Sequence, residues 1–230
     1  MSGPWVPGSI FDHLPGGERA IVMDAGVRRV FSSDEVLLRQ GDPTDHVFVL
    51  LNGWVRVSVS TDDGRDLLLA FRGPGDAVGD LAAVHGTDRT ASVRALEDVA
   101  VTQLRREQFV DLLHTRPAIS MAMIKQLSAR LVELGEARAL FASLDVTRRV
   151  AACLLRLVDL HGVPAGHGIT LRIKLSQQDV ASQVDASARS VARAFAVLRD
   201  RGIVSSSRAR VTIGRPDVLR ALVGYPPNGR

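Results

Sequence analysis

The chain has 230 residues, of which 46% are hydrophobic, and this is enough for a packed core. Its apolar runs are shorter than the roughly 18 residues that a helix needs to cross a bilayer. One cysteine excludes an internal disulfide or a cysteine-only metal site within one chain, and residues 1–14 lack a secretory-signal pattern, so we expect a cytoplasmic protein. Residues 1–146 carry 15 basic and 20 acidic side chains but residues 147–230 carry 14 and 5, which predicts two domains, only the second attracting a polyanion.

The first domain is predicted to consist of short β-strands between about residues 30 and 104. The candidate strands are residues 47–51, 54–60, 66–71, 91–96 and 99–104. In the second of these, a period of two places Val55, Val57 and Val59 on one face, and a turn at 61–64 returns the chain as a hairpin. Short strands separated by glycine turns favour a sandwich or a rolled barrel.

A long helix is predicted after the strands. Residues 106–113 form a short helix in this interpretation, and Pro117 stands where the next helix can begin. A helix of about 25 residues would be about 37 Å long, enough to link two domains and to pair with its copy in a homodimer. Its apolar stripe, which Arg138 interrupts, consists of Ile124, Leu127, Leu131, Leu134 and Phe141. The alternative is a stripe that packs on its own β domain.

The second domain is predicted to open with a helix, a loop and a strand. Asp145 and Thr147 are candidate caps of the helix, whose apolar face includes Cys153, expected to be a small buried hydrophobe. Residues 162–168 contain Pro164 and are interpreted as a loop. The strand that should follow has alternating apolar residues, which are Ile169, Leu171, Ile173 and Leu175.

Residues 175–204 have the pattern of two short helices joined by a tight turn at residues 185–186. Ser176 and Ser187 are the candidate caps, and Gly202 should end the second helix. Residues 203–213 are interpreted as a hairpin, a candidate wing over DNA phosphates. The residues expected to face inward are Val180, Ala181, Val184, Val191, Phe195 and Leu198.

The second of these helices indicates binding to double-stranded DNA. Arg189, Ser190 and Arg193 should face outward near its N-terminal end, the end that meets base edges in helix-turn-helix proteins. Residues 189–215 contain seven arginines and a single acid, Asp200. The predicted contact residues are Ser176, Gln178, Ser187, Ala188, Arg189, Ser190, Arg193 and Arg208. The alternative is an ordinary solvated arginine face on a helical pair.

A second candidate site lies in residues 79–92, where a short helix-like turn separates two strands. Its backbone amides and Arg89 could together hold a phosphate, and Asp80 offers a carboxylate for sugar hydroxyls. The alternative is a surface loop in which Arg89 pairs with Asp88 or with Asp80.

Catalysis and metal binding find no support in the sequence. It contains no nucleophile–base pattern, no Walker loop and no metal-ligand spacing. His85 is expected at the surface, and His161 and His167 flank a loop without an evident role. We therefore predict neither catalytic residues nor a metal or other cofactor.

The whole arrangement resembles the CRP/FNR family of bacterial transcription regulators over roughly residues 25–215. The resemblance rests on Gly79-Asp-Leu with Arg89-Thr-Ala, on the long helix that ends in residues 141–151, and on the helix-turn-helix. It implies an α+β fold: an N-terminal cyclic-nucleotide-binding β-roll, or jelly roll, at 1–116, a long dimerisation helix at 117–143 and a C-terminal winged helix-turn-helix at 144–230.

The residues expected to bind the phosphate match those of the family, whereas the residues expected to bind the base do not. The cAMP-binding members of the family use a Gly-Glu pair, with the glutamate on the ribose, and an Arg-Ser or Arg-Thr pair on the cyclic phosphate. Gly79, Arg89 and Thr90 match, but Asp80 stands where the family has glutamate. The polar pair that meets adenine falls on residues 134–135, a leucine and a glycine, whose side chains cannot hydrogen-bond a base.

The resemblance therefore implies an effector that is a cyclic nucleotide, cAMP ahead of cGMP. Arg130 falls where the family's arginine pairs with the ribose-binding acid, here Asp80. The implied site consists of Gly79, Asp80, Leu81, Arg89, Thr90, Arg130 and Leu134. The alternatives are weak cAMP binding, a different effector, or a β-roll that binds nothing and serves as a surface for dimerisation or for contact with RNA polymerase.

The recognition helix departs from the best-known pattern of the family, which begins Ser-Arg-Glu-Thr-Val-Gly-Arg. Here residues 187–193 are Ser-Ala-Arg-Ser-Val-Ala-Arg, so Arg193 is kept while Ala188 and Arg189 replace arginine and glutamate. A glutamate accepts from cytosine and an arginine donates to guanine, so a different half-site is expected. The resemblance also implies allosteric control, in which the ligand shifts the long helix and a hinge near residues 144–147 re-aims two recognition helices to a spacing of about 34 Å.

Overall fold

The computed structural model describes residues 5–61, 64, 66–207 and 210–224, with the side chains of all of these except residues 133 and 136–143. The chain divides into two compact units, Met1–Glu133 and Leu134–Arg230. The finer division into three parts, at residues 116 and 143, stays a prediction. Among the described residues, no helix is long and apolar enough to cross a membrane.

The first unit is an α+β structure of short strands with helices before and after them. Its strands are β1 (Val27–Phe31), β2 (Val36–Leu38), β3 (His46–Asn52), β4 (Val55–Ser60), β5 (Asp66–Arg72), β6 (Ala77–Val78), β7 (Ser92–Ala95) and β8 (Val99–Arg105). Its helices are α1 (Ile10–His13), α2 (Gly16–Asp24), α3 (Asp80–His85), α4 (Arg106–Thr115) and α5 (Pro117–Ser143), the last of which continues into the second unit.

Two antiparallel four-stranded sheets form the predicted roll, in the strand orders β1-β8-β3-β6 and β2-β7-β4-β5. Strand β3 shows why its sequence is a continuous apolar run rather than an alternating one. Phe48 and Leu50 belong to a core cluster drawn from both sheets, whereas Val47 and Val49 belong to a second cluster with residues of the helices α1, α4 and α5. Because both faces of this strand are covered, every position in it favours an apolar side chain.

Burial along β4 follows the expected alternation only in part. The register against β5 shifts between Val57 and Ser58, which is a β-bulge. Val55 is buried, as expected, but Ser58 is buried as well, and Val57 and Val59 are only partly covered. The extra residue at this bulge is Leu69 of β5, since residues 55–60 of β4 are paired one by one, so the shift reverses the facing within β5 and not within β4.

Two short helices before β1 contribute to the core, and the sequence analysis made no prediction for them. Ser9 caps α1, and Ile10, Phe11 and Leu14 are fully buried in the cluster beneath the first sheet. The amide of Phe11 donates to the carbonyl of Gly75 in the turn before β6. The N-terminal segment therefore packs directly beneath the loop that leads to the candidate anion site.

The second unit is built on a helix, a four-stranded sheet and the predicted helix pair. Its elements are α6 (Val146–His161), β9 (Gly162–Ala165), β10 (Gly168–Leu171), α7 (Gln177–Gln183), α8 (Ala188–Asp200), β11 (Val204–Ser207), β12 (Arg210–Ile213) and α9 (Pro216–Val223). The sheet is antiparallel in the order β11-β12-β10-β9, and α6 packs against α7, α8 and α9. Asp145 is the cap of α6, as expected, since its carboxylate accepts from the amide of Arg148.

Two predictions for this unit are wrong. The expected loop at residues 162–168 contains strand β9, in which Pro164 lies opposite Ile169. Proline is tolerated there because β9 is the edge strand and needs no donor on its outer side. The strand expected through Leu175 ends at Leu171; Ile173 and Leu175 are buried without continuing it.

Candidate functional site

The candidate anion site forms where β6 meets α3. Gly79 begins α3 with a φ of +78°, a left-handed conformation that favours glycine. A Cβ built on Gly79 would lie 2.5 Å from Nη1 of Arg89, so the absence of a side chain lets the guanidinium approach the backbone. The turn thus places Arg89 against the first residue of the short helix.

Arg89 is a buried cation, with 3% of its surface exposed. Nη1 donates to the carbonyl oxygen of Gly79 at 3.1 Å, and Nη2 donates to that of His46 at 2.6 Å. Its carboxylate neighbour is the exposed Asp45, at 3.8 Å, rather than Asp88 or Asp80 as the alternative held. Burial lowers the pKa of Arg89, which is the sign of a charge only partly compensated by its surroundings.

Asp45 and His46 were missed by the sequence analysis. The carboxylate of Asp45 contacts Nδ1 of His46, whose pKa burial nevertheless lowers. His46 contacts Arg89 through its backbone carbonyl and Asp45 contacts it through its carboxylate. These residues lie 43 and 44 positions before Arg89 in the chain. Every residue has a carbonyl, so this contact leaves no motif in the sequence.

Asp80 is also buried, with 4% of its surface exposed, but its carboxylate forms an ion pair with Arg130. Nη1 of Arg130 lies 2.9 Å from Oδ2 of Asp80, and Nη2 of Arg130 donates to the carbonyl of Ala77 at 2.8 Å. Asp76 lies 3.6 Å from the same guanidinium, and burial raises the pKa of its carboxyl. The expected Arg130–Asp80 pairing is therefore present, while the ligand role of both residues stays a prediction.

Gln126 is a further polar residue of this cluster that the sequence analysis missed. Its Oε1 accepts from the amides of Ile10 at 3.0 Å and Ala77 at 3.3 Å, and its Nε2 lies 3.5 Å from Oδ2 of Asp80. It is fully buried on the same face of α5 as Ile119 and Met123. A polar residue at the spacing of an apolar helical face was the signal that could have found it.

The structure brings together four of the predicted ligand residues, Gly79, Asp80, Arg89 and Arg130. Leu81 and Thr90 are exposed on either side of this cluster. Leu134 is exposed on α5 and belongs to the second compact unit.

The face of α5 that carries the predicted stripe is largely uncovered. Ile124, Leu131 and Leu134 are exposed, Leu131 to 69%, and only Leu127 packs partly against the core of the first unit. The residues of α5 that the core buries lie on another face and include Ile119, Ala122 and Met123. The side chain of Phe141 lies outside the described residues. Among the stripe residues of the first unit, only Leu127 therefore helps to dock α5 on the β domain.

The helix pair of the second unit has the expected caps. The hydroxyl of Ser176 accepts from the amide of Asp179 and the carboxylate of Asp179 accepts from that of Ser176, a capping box. Ser187 caps α8 by accepting from the amide of Ser190 at 3.2 Å. The turn contains Asp185 with a φ of +49°. The six residues expected to face inward, Val180, Ala181, Val184, Val191, Phe195 and Leu198, are all buried.

The predicted DNA-contact residues lie on the outer side of this pair. Arg189 and Arg193 are exposed on α8, and Nη2 of Arg193 reaches the hydroxyl of Ser190 at 3.4 Å. Ser176, Gln178 and Ser187 are exposed, whereas Ala188 and Ser190 are partly covered. The predicted wing is present as the hairpin of β11 and β12, and its Arg208 lies outside the described residues. Two exposed arginines on one face of α8 suit a contact with DNA phosphates and base edges.

Arg149 is a residue of the second unit that the sequence analysis missed. Its guanidinium donates to three backbone carbonyls, those of Leu144, Val184 and Asp185. The neighbouring Arg148 is exposed and pairs with Asp145. Two adjacent arginines look equivalent in the sequence, and only the packing of α6 distinguishes them.

Metal binding finds no support among the described residues, where no three or more histidine, cysteine, aspartate or glutamate side chains cluster as ligands. Cys153 is buried, and burial raises the pKa of its thiol to about 11, as expected for an unreactive core residue. His161, expected beside a loop, is instead buried at the end of α6, and burial lowers its pKa to about 4.

Comparison with known families matches both units of the chain. Residues 28–116 match the model of the cyclic nucleotide-binding domain, and residues 148–222 match that of the Crp-like helix-turn-helix domain. The first match contains Gly79, Asp80 and Arg89 but ends before Arg130, and the second contains the capped helix pair and the wing.

Curated relatives and solved structures are similar over most of the chain. The cAMP-activated global transcriptional regulator CRP of Salmonella typhimurium is 27% identical over 184 residues, which is 80% of this chain and 87% of that protein. A CRP-like cAMP-activated global transcriptional regulator of Mycobacterium tuberculosis is 29% identical over 189 residues, covering 82% and 84%. The structure of the c-di-GMP-responsive global regulator CLP of Xanthomonas campestris has a TM-score of 0.75 at 25% identity, covering 86% and 99%.

Proposed function

Because the chain belongs to the CRP/FNR family of transcription regulators, we propose that its β-roll binds a cyclic nucleotide, cAMP first, and that the ligand controls binding to DNA. The observation that carries this proposal is Arg89. A guanidinium that is 97% buried, held by two carbonyls and facing an exposed carboxylate 3.8 Å away, retains positive charge for an anion.

Asp80 is the proposed partner of the ribose. Arg130 and Gln126 both approach Oδ2 of this carboxylate, at 2.9 and 3.5 Å, and hold it in one orientation. The proposal assigns the other oxygen, Oδ1, to a ribose hydroxyl. Aspartate has a shorter side chain than the family's glutamate, and the fixed orientation of its carboxylate would then compensate for the shorter reach.

The base end of the proposed site supports weak discrimination between purines. Leu134 and Gly135 offer no side-chain hydrogen bond to a base. A site that reads no polar group of the base rejects the wrong one poorly. We therefore propose that this end of the site discriminates only weakly between cAMP, which remains the first candidate, and cGMP; a different effector is the second candidate, since a similar structure is described as responsive to c-di-GMP.

Calorimetric titration with cAMP, cGMP and c-di-GMP tests this proposal. We expect Arg89→Lys to weaken cyclic-nucleotide binding about 10- to 100-fold, because a charged hydrogen bond is worth about 1.5–3 kcal/mol. The matched control is Arg94→Lys, a nearby arginine of β7 that donates to the carbonyl of Asp34. Binding of a cyclic nucleotide that Arg89→Lys leaves unchanged would contradict the proposed site, and no binding of any of the three would favour a β-roll without a nucleotide effector.

We propose that α8 enters the major groove of an operator that differs from that of the best-known family members. Arg189 stands where their pattern has glutamate, so guanine is the proposed partner at that position. Selection of binding sites from random DNA tests this assignment. A selected consensus identical to the cAMP-receptor operator would contradict it.

The proposed active form is a homodimer in the cytoplasm, without catalytic activity. Paired α5 helices would place two recognition helices about 34 Å apart, one DNA turn, and the bound nucleotide would favour that arrangement. The exposed stripe of Ile124, Leu131 and Leu134 supports this pairing. A gel shift whose DNA affinity no cyclic nucleotide changes would contradict the allosteric step.

A further inference from the structure

The first turn of α6 carries two adjacent arginines with different environments. Arg148 has 54% of its side chain exposed and lies 3.8 Å from the carboxylate of Asp145. Arg149 is partly buried and points its guanidinium at backbone. Its Nε donates to the carbonyl of Leu144 at 3.0 Å, and its Nη1 donates to those of Val184 at 3.2 Å and Asp185 at 3.4 Å.

Two of the three carbonyls that Arg149 reaches, those of Val184 and Asp185, belong to the turn between α7 and α8. Helix α7 ends at Gln183, and its last carbonyls need partners. The amides of Val184 and Ala186 satisfy the carbonyls of Val180 and Ala181. Nη1 of Arg149 donates to the carbonyls of Val184 and Asp185, the first two residues after α7. A cation at this end of a helix is also favoured by the helix dipole.

This turn is under local strain. Asp185 has a φ of +49°, a left-handed conformation that is uncommon for a residue with a side chain. Such a conformation persists when surrounding contacts hold it. The two hydrogen bonds from Arg149 act on the residue itself and on its predecessor, so they hold the turn at its strained position.

The turn sets the start of α8. Ser187, the cap of α8, follows Asp185 by two residues, and the proposed base-reading residues Arg189 and Arg193 lie in the next two turns of the helix. We propose that Arg149 is a positioning residue for DNA recognition: by tying this turn to the carbonyl of Leu144, it fixes where α8 presents its arginines. The inference rests on the DNA binding of the family and needs no assumption about the effector.

The hydrogen bond to the carbonyl of Leu144 connects Arg149 to a second part of the chain. Leu144 is the residue between α5, which ends at Ser143, and Asp145, the cap of α6. One side chain therefore joins the entry of the chain into α6 to the turn before the recognition helix. A shift of either end by more than about 0.5 Å would misplace the base-reading side chains, since recognition needs contacts placed within about that distance.

The alternative is that Arg149 is one more phosphate contact, and the two roles differ in what they change. A lost phosphate contact weakens specific and non-specific binding together and flattens the salt dependence by about one unit. A lost positioning contact misplaces base-reading side chains, so it weakens binding to the specific site and leaves non-specific binding and the salt slope unchanged.

The test compares Arg149→Gln with the matched control Arg148→Gln, each removing one positive charge from the same turn of α6. Full-length protein is titrated with a duplex selected from random DNA and with a scrambled duplex, at several salt concentrations, with and without cAMP. For Arg149→Gln we expect affinity for the selected duplex to fall about 10- to 100-fold relative to the control, the range for losing a well-placed bidentate base contact. Affinity for the scrambled duplex and the salt slope should match those of the control.

Equal affinities of the two variants for the selected duplex would overturn the proposal, and so would a parallel fall for both duplexes with a flatter salt slope. Arg149→Lys provides the second variant, because it keeps the charge but not the planar group that reaches three carbonyls. We expect it to melt close to wild type and to lose part of the specific affinity. Wild-type affinity in Arg149→Lys, or failure of both Arg149 variants to fold at the assay temperature, would equally overturn a purely positioning role.

Discussion

Buried charges in the first unit are compensated to different degrees, and the difference locates the candidate ligand site. Asp80 has an arginine at 2.9 Å and a glutamine amide at 3.5 Å, so its charge is matched by a largely buried cation and a buried amide. Arg89 has two carbonyl dipoles and a carboxylate that is 79% exposed at 3.8 Å, where solvent screens the attraction. A bound anion would compensate the charge of Arg89. The carboxylate of Asp80, in contrast, already has partners at its Oδ2 atom.

At the same scale, His161 should make the stability of the second unit depend on pH. Burial holds its folded-state pKa at about 4, against about 6.5 in an unfolded chain. The folded state favours the neutral ring, so the contribution is present in full above pH 6.5 and is lost as the pH falls towards 4. The difference corresponds to about 3 kcal/mol in the free energy of unfolding.

Urea denaturation followed by circular dichroism, at about pH 7 and about pH 5, measures the part of this loss that falls between the two pH values, about 2 kcal/mol. His161→Leu should reduce the difference between the two pH values, and His167→Gln, which removes an exposed histidine of the same unit, should leave it unchanged. Both tryptophans, Trp5 and Trp54, lie in the first unit, so the fluorescence transition reports that unit separately. An identical pH dependence in His161→Leu and wild type would refute the assignment.

At the scale of the element, α3 owes its limits to two glycines in the left-handed conformation. Gly79 begins the helix with a φ of +78° and Gly86 ends it with a φ of +69°. Both positions strain any other residue, but only Gly79 also makes room for Arg89. The glycine that precedes α3 therefore has a second requirement, the close approach of the Arg89 guanidinium, that the glycine after α3 does not have.

Alanine at each glycine separates these two effects. We expect Gly86→Ala to cost about 1 kcal/mol of unfolding free energy from backbone strain alone. Gly79→Ala should cost more and should also weaken cAMP binding, because its Cβ would lie 2.5 Å from Nη1 of Arg89 and displace it. Chemical denaturation and calorimetry of both variants measure this. Equal losses of stability and of ligand affinity would show that the approach of Arg89 to Gly79 does not matter.

At the scale of the whole molecule, α5 presents two faces with different environments. One face is buried in the first unit through Ile119, Ala122, Met123 and Gln126. The other exposes Ile124, Leu131 and Leu134, an apolar surface of the kind that marks an interface between proteins. A second copy of the chain is the proposed occupant, and it would supply the second half-site reader that a regulator of this family needs.

We expect Leu131→Glu to convert the dimer to a monomer and to abolish high-affinity DNA binding while each unit stays folded. The side chain is 69% exposed in the single chain, so a charge there costs the monomer little but would be buried in the dimer. Analytical ultracentrifugation gives the oligomeric state. Leu69→Glu, at another exposed leucine on β5, is the control and should stay dimeric. A dimeric Leu131→Glu variant would place the interface elsewhere.

The amino-acid sequence alone determined the local features of this protein. Ser176, Ser187 and Asp145 cap the helices that follow them, because a cap needs only its own side chain and an amide three residues later. The inward faces of α7 and α8 followed from helical spacing, and the wing from its position after Gly202. These signals depend on neighbours in the chain, so they are legible without the fold, and together they carried the family resemblance.

The tertiary structure decided the contacts between distant parts of the chain. Arg89 meets the carbonyl of His46 across 43 residues, Gln126 meets the amide of Ile10 across 116, and Arg149 meets the carbonyl of Val184 across 35. In each case the partner is a backbone group, which every residue offers, so no residue type marks it in advance. The bulge between β4 and β5 and the edge strand at Pro164 were decided in the same way, by pairing between strands. The sequence therefore determined which chemical groups the protein has, and the fold determined which of them act together.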